Sequence, residues 1–436
     1  MKKVISLLIV LTMLTALLMG CSSKKEDTSS TSTNGSDSSS TAADQDSGSS
    51  DNSADASAQQ AEGASGNVTI WYYWETEGHQ KALNQLVQDF NNSQTNITVE
   101  AKYVPFADFK KQLSIGASAD ELPDLVIQDN PDTAAYASMG IFADLTGKFD
   151  VSSYFPGPVN SCTLDGKLYG VPFGSNDLLL YYNKDMLAAA GCDVPTTWDE
   201  LLDTAKKCTK DNVYGFAHSS VQNEEGTFNF LTWVWSTGAT AYEMNSEGGI
   251  KALTMAKNLI DSGAMPKEAI NWTQGDTMNQ FISGNLAMMI NGTWQVPTMR
   301  EQVPDLNWGV APIPMDKQQA SGLGGENYSV IAGGNEAATI EFLKFATQKE
   351  QSLLMTNAMG YISPDSTIAK DQFAGDEVYE AFVEEMQYAN ARGPLAEWPE
   401  ISNAISLAFN EVMAGAGSPE EAAAKAQTAI DSIMNK

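Results

Sequence analysis

Val68-Thr-Ile-Trp-Tyr-Tyr-Trp74 reads as a β-strand running into an aromatic cluster, and the segments after it decide what kind of sheet it joins. Residues 78–91 place Leu83, Leu86, Val87 and Phe90 on one helical face. Ile97 to Tyr103 alternates as a second strand, and Phe106 to Ala119 reads as a second helix. Pro123-Asp-Leu-Val-Ile-Gln-Asp-Asn130 is a short buried strand ending in polar residues, followed by a helix from Pro131 to Met139. Alternating strands and helices imply an α/β fold, a sheet with helices on its faces. In such sheets ligands gather beyond the carboxyl ends of the strands. Trp71, Trp74 and Glu75 lie at one such end, Asp129 and Asn130 at another, so both groups are candidate ligand contacts.

Further along, Asp165-Gly166 between short apolar runs predicts a hairpin over Thr163 to Val171. Thr196 or Thr197 caps a helix opening at Trp198-Asp-Glu, with acids in its first turn. Ser418-Pro-Glu-Glu forms a capping box and opens a terminal helix from Pro419 to about Met434. Residues 67–436 are too many for one simple core and fit two lobes.

The formal charge of the 436-residue chain is −30, a field that repels nucleic acid and anionic substrates and favours neutral or cationic ligands. Only two arginines occur, Arg300 and Arg392, so an arginine clamp for phosphate is not expected. Two histidines, His79 and His218, leave little material for a metal cluster or a Ser-His-Asp triad, and no cofactor is implied. Cys162, Cys192 and Cys208 show no metal-ligand spacing and are expected to be small buried thiols.

The chain begins with Lys2-Lys3 and an apolar run, Val4 to Met19, too short to span a membrane and shaped like a signal peptide over residues 1–20. Its ending, Leu18-Met-Gly-Cys21, resembles the lipobox of bacterial lipoproteins, which implies lipidation of Cys21; ordinary cleavage for secretion is the alternative. Residues 21–66 are mainly Ser, Asp, Ala, Gly, Thr and Gln and cannot bury enough apolar surface to offset ordering entropy. They predict a disordered tether with a reach of about 35–40 Å.

Three blocks within the body, Asp165-Gly-Lys-Leu-Tyr-Gly-Val-Pro-Phe173, Leu180-Tyr-Tyr-Asn-Lys-Asp-Met-Leu187 and Pro195-Thr-Thr-Trp-Asp-Glu-Leu201, resemble successive landmarks of the family 1 extracellular solute-binding proteins. Phe281-Ile-Ser-Gly-Asn-Leu-Ala-Met-Met-Ile-Asn-Gly-Thr-Trp294, Gly309-Val-Ala-Pro-Ile-Pro314 and Gly324-Gly-Glu-Asn-Tyr-Ser-Val330 continue the resemblance in order. These are the carbohydrate-type receptors of bacterial ABC importers, similar to maltose-binding protein. The resemblance implies a two-lobed periplasmic-binding-protein-like fold of type II, with the ligand in a cleft between lobes joined by crossing strands. It would assign residues 67–178 and 323–364 to the N-terminal lobe, and 179–322 and 365–436 to the C-terminal lobe. The crossovers would fall near Asn176–Asp177, Gly322–Gly325 and Pro364.

A sugar presents an apolar ring face and a girdle of hydroxyls, which tryptophan faces and Asp, Glu, Asn or Arg side chains complement. By resemblance, Trp294 is the aromatic that stacks on the ligand, and Trp71, Trp74, Glu75, Asp129 and Asn130 line the cleft. Glu326, Asn327, Tyr328 and Arg392 are further candidates, and Trp233 and Trp272 are open between cleft and core. Trp198 and Trp308 are expected in the core, as is at least one of Tyr181 and Tyr182. The resemblance implies a non-enzymatic monomer held at the extracellular face of the cell membrane through its lipid, in a Gram-positive cell. Its partners would be a sugar and the transmembrane subunits of a permease, with no nucleic acid. Two alternatives stand beside it: a glycosidase-like enzyme using a pair such as Glu75/Glu77, Glu224/Glu225 or Glu384/Glu385, or a sugar receptor feeding a sensory partner.

Overall fold

The computed structural model describes residues 63–119 and 121–435. Cys21, the signal segment and nearly all of the tether lie outside the described residues. Among the described residues no helix is long and apolar enough to cross a membrane.

The strands are, in chain order, β1 (Gly66–Tyr72), β2 (Ile97–Tyr103), β3 (Leu125–Asp129), β4 (Thr163–Leu164), β5 (Lys167–Leu168) and β6 (Val171–Asn176). There follow β7 (Leu178–Asn183), β8 (Tyr214–Ala217), β9 (Leu286–Gly292), β10 (Trp308–Ala311), β11 (Ser321–Val330) and β12 (Ala389–Ala391). One sheet has the order β12-β11-β3-β1-β2, with β6 also paired to β11. β1 runs parallel to β2 and β3, as helical crossovers require. The helix Glu77–Ser93 lays Leu83, Leu86 and Phe90 against Val68, Ile70 and Val99, which are all buried. The other sheet has the order β10-β7-β9-β8. Its core gathers Trp198, Phe216, Trp233, Phe281 and Phe409.

Local signals act as the sequence predicts. Asp165 and Gly166 both take positive φ, 51° and 76°, and turn β4 into β5. Thr197 and Ser418 each close a capping box, with Glu200 and Glu421. Tyr181 is fully buried and donates to the Gly292 carbonyl at 2.6 Å, whereas Tyr182 is half-buried.

The chain passes between the sheets at three places that lie side by side. β6 continues into β7 through the single residue Asp177. At the start of β11, Ser321 Oγ accepts from Leu178 N–H at 2.9 Å and donates to Leu178 O at 2.8 Å, while Gly324 and Gly325 pair with Asn176 and Ser175. Ile362 exchanges two backbone hydrogen bonds of 2.9 Å with Ser175. Gly325 is obligatory here: its φ is +134°, and a Cβ would sit 2.1 Å from the Gly174 carbonyl oxygen.

Candidate ligand-binding site

β1 ends at Tyr72 and releases Tyr73, Trp74 and Glu75 at the edge of a cleft. β3 ends at Asp129, which is in register with Glu326 on β11. From the other sheet, β9 ends at Gly292 and delivers Trp294, while the helix Glu224–Ser236 brings Glu224, Glu225 and Phe228 in its first turns. These side chains border a cleft with about 900 Å³ of open space, its mouth included.

Glu326 is 5 % exposed. Its Oε1 accepts from Tyr361 O–H at 2.8 Å, Tyr73 O–H at 2.9 Å and Trp74 Nε1–H at 3.3 Å. Its Oε2 has no partner among the described residues. Burial, with the charge of Asp129 adding to it, pushes the carboxyl up to about 7 against the pull of those three donors. At neutral pH this group can therefore accept from a hydroxyl or donate to one. Glu225 is also raised to about 7 by burial and accepts from Gln274 N–H at 2.7 Å.

Trp294 packs against both cores, and its ring lies 6.5 Å from that of Phe228 at an interplanar angle of 26°. Gly292 makes room for it, since a Cβ there would fall 1.9 Å from the indole. Trp294 thus joins the two halves while leaving its side chain on the cleft wall.

Arg392 lies just past β12 and is almost fully buried. It clasps Asp129 through two bonds of 3.0 Å and reaches Glu224 Oε1 at 2.8 Å, with its guanidinium carbon 4.1 Å above the Phe228 ring centroid. Glu224 also accepts from Trp398 Nε1–H at 3.0 Å and from the Ser402 hydroxyl. Lys110 closes the network at 2.9 Å from Asp132 and 3.7 Å from Glu224. Burial alone would raise the Glu224 carboxyl, but Lys110, Arg392 and its two neutral donors outweigh it and hold it below the usual range. Asp129, Asp132 and Lys110 come from the side of the first sheet; Glu224, Trp398 and Ser402 come from the side of the second.

Of the residues singled out in the sequence, Trp74, Glu75, Asp129, Trp294, Glu326 and Arg392 line this cleft. The structure puts the other six elsewhere. Trp71 packs beside Phe109 and Val126 with Lys102 Nζ 5.2 Å over its ring. Asn130 is buried in the turn after β3. Trp233 is fully enclosed by Trp198, Phe216 and His218, and its indole N–H is 3.3 Å from His218 Nε2, so no face is left for a ligand. Trp272 is half-buried against the second core. Asn327 faces away from Glu326, as strand alternation dictates, and donates to Thr133 Oγ1 at 2.9 Å. Tyr328 lies in the first core, its ring 5.2 Å from Phe173.

Sequence reasoning missed Tyr73, Phe106, Phe228 and Tyr361 as cleft residues. Tyr73 was legible, lying between two chosen tryptophans. Phe106 and Phe228 look like core residues in an amphipathic pattern, and Tyr361 arrives from the third crossing, far away in sequence.

The buried carboxyls predict a pH dependence. Glu225, Glu326 and Glu385 have folded values of about 7, raised by burial above the ordinary 4.5. Each binds a proton more readily in the folded chain, so the stability it contributes is full below about 4.5 and is lost as pH rises through 7. His79 and His218, lowered by burial to about 4, act in the opposite sense as pH rises through their ordinary 6.5 and offset part of this loss. Between pH 6.5 and 8 the unfolding free energy should therefore fall by about 1–2 kcal/mol. Urea denaturation across that range checks this, and a flat or rising profile would contradict it.

The comparisons with known proteins agree with this geometry. A family model described as bacterial extracellular solute-binding protein matches residues 85–381. The galactooligosaccharide-binding protein of Bacillus subtilis is 24 % identical over 381 residues, 83 % of this chain and 89 % of that one. Among solved structures, the GacH receptor of Streptomyces glaucescens, known unliganded and with acarbose, is 27 % identical with a TM-score of 0.78, covering 85 % of this chain and 99 % of that one. An ABC transporter solute-binding protein from Thermotoga lettingae bound with α-D-tagatose is 25 % identical with a TM-score of 0.80, covering 85 % and 100 %. Two sheets linked by three adjacent crossings, a cleft lined from both and a family match over most of the chain lead to one conclusion: the chain belongs to the bacterial extracellular solute-binding proteins.

Proposed function

We propose that this chain is the substrate-binding lipoprotein of an ABC importer, capturing a neutral sugar or oligosaccharide and delivering it to the permease. The observation that carries the sugar reading is the pairing of the Trp294 ring with the buried Glu326 carboxyl, whose second oxygen has no partner among the described residues. The ring matches the C–H face of a sugar, and the carboxyl matches its hydroxyls. A galactooligosaccharide, acarbose and tagatose as ligands of similar proteins support the same class. The net charge of −30 favours an uncharged ligand.

Ligand would settle on one lobe, and the closed state would gain contacts from the other, raising its population. Asn176–Asp177, Gly322–Gly325 and Pro364 would act as the hinge, the lobes being residues 67–178 with 323–364 and 179–322 with 365–436. Diacylated Cys21 would hold the protein on the outer face of a cell lacking an outer membrane, and residues 21–66 would keep the cleft within reach of the permease. The Glu224/Glu225 form of the glycosidase alternative draws less support, because Glu224 is already engaged by Arg392, Lys110, Trp398 and Ser402.

A thermal-shift screen of the full chain against a glycan panel tests this reading. At least one neutral sugar should raise the midpoint, and small-angle scattering with that sugar should show compaction. A panel without any shift, a sugar that is hydrolysed, or tight binding without compaction would each overturn it.

A further inference from the structure

We propose that Tyr73 and Tyr361 are positioning residues that hold Glu326 by one carboxyl oxygen and confine its proton to the other, leaving that oxygen as the atom a ligand hydroxyl would meet. The three donors to Glu326 all fall on Oε1: Tyr361 O–H at 2.8 Å, Tyr73 O–H at 2.9 Å and Trp74 Nε1–H at 3.3 Å. Oε2 has no partner among the described residues. A carboxyl oxygen offers about two lone-pair sites, so three donors leave Oε1 no place for a proton. When the group is protonated, the hydrogen therefore sits on Oε2. Glu326 then presents one defined atom, a donor when protonated and an acceptor when ionised. Its role toward a ligand rests on the sugar reading proposed above; the cradle does not.

Each part of the cradle is itself fixed. The pairing of β11 with β6 slips by one residue between Glu326 and Asn327, a bulge of the kind that redirects a side chain. Gly174, opposite Glu326, makes room for Tyr361, since a Cβ there would lie 2.7 Å from its ring. Tyr361 is buried, and its backbone N–H donates to Thr356 O at 2.8 Å. The ring of Tyr73 meets Phe106 and Phe109 edge-on, at centroid distances of 4.8 and 5.3 Å, and Trp74 lies 5.4 Å from Phe173. Both hydroxyls favour the ionised carboxyl, against its burial and the charge of Asp129. Asp129, clasped by Arg392, is in register with Glu326, and Glu75, His79, Glu224 and Glu225 border the same cleft.

Infrared difference spectra of the ligand-free full chain from about pH 5 to 9, wild type minus Glu326→Gln, isolate this one carboxyl. Its protonated C=O band should be lowered in frequency, because the double bond then lies on Oε1, which accepts three hydrogen bonds. Tyr361→Phe and Tyr73→Phe keep the rings and remove one donor each. Each should raise the band frequency and move the titration midpoint up by about one pH unit, the worth of one hydrogen bond to a charged group. If Tyr361→Phe does not fold, Tyr73→Phe, at the half-buried position, carries the test alone. A band at the frequency of a free carbonyl would put the proton on Oε1 and overturn the proposal. So would a band or midpoint unmoved by the loss of either hydroxyl, or no titration of Glu326 in this range. A glycan panel without a hit would instead overturn the sugar reading and leave this placement of the proton standing.

Discussion

Arg392→Ala is expected to destabilise the ligand-free protein by about 3–5 kcal/mol, the largest stability effect of any single side-chain loss in the cleft. Arg392 is almost fully buried and holds two carboxylates at once, Asp129 by two bonds and Glu224 by one. Its removal leaves Asp129 without an ion-pair partner and Glu224 with Lys110, at 3.7 Å, as its remaining one. The cost is the desolvation of charges no longer compensated, not the net worth of the ion pairs, which is far smaller. Arg392→Lys should recover only part of it, because an ammonium cannot bind Asp129 in the bidentate manner of a guanidinium. Urea denaturation at neutral pH measures the difference. Mild acid should narrow it, because Asp129 in the variant can then take up a proton. A loss below about 1 kcal/mol would show that the network is solvated.

Trp294→Ala should weaken binding of whichever sugar the glycan panel identifies by about 30-fold or more, corresponding to a hot-spot loss of about 2 kcal/mol. The indole offers a flat apolar face that alanine cannot replace, and truncation also opens the wall between the cleft and the two cores. Part of the effect would fall on stability, so affinity should be measured by calorimetry well below the melting midpoint. Trp294→Phe keeps a smaller face and should lie between the two. Affinity unchanged in Trp294→Ala, in a variant that remains folded, would remove this residue from the ligand's surroundings. Together the two variants separate the halves of the cleft: Arg392 acts mainly on the fold, Trp294 mainly on the ligand.

The sequence by itself determined the secondary elements and the class of fold. Alternation along Ile97–Tyr103, the apolar face of Leu83, Leu86 and Phe90, the Asp165-Gly166 turn and the boxes at Thr197 and Ser418 are interactions within a few residues, so their signals are local. It also placed Trp74, Asp129, Trp294, Glu326 and Arg392 among the candidates, because strand ends and the family's landmark blocks are local features too. Only the tertiary structure decided which tryptophans are core. Trp233 and Trp294 carry the same side chain, yet one is sealed among Trp198, Phe216 and His218 while the other stands on the cleft wall. Burial depends on what packs above a residue, and those neighbours come from distant parts of the chain. The same reason hid the network that unites Lys110, Asp129, Glu224 and Arg392 across more than 280 positions of sequence. Each residue in it is an ordinary charge until three crossing segments bring the two sheets together, and from then on its partners determine its protonation and its role.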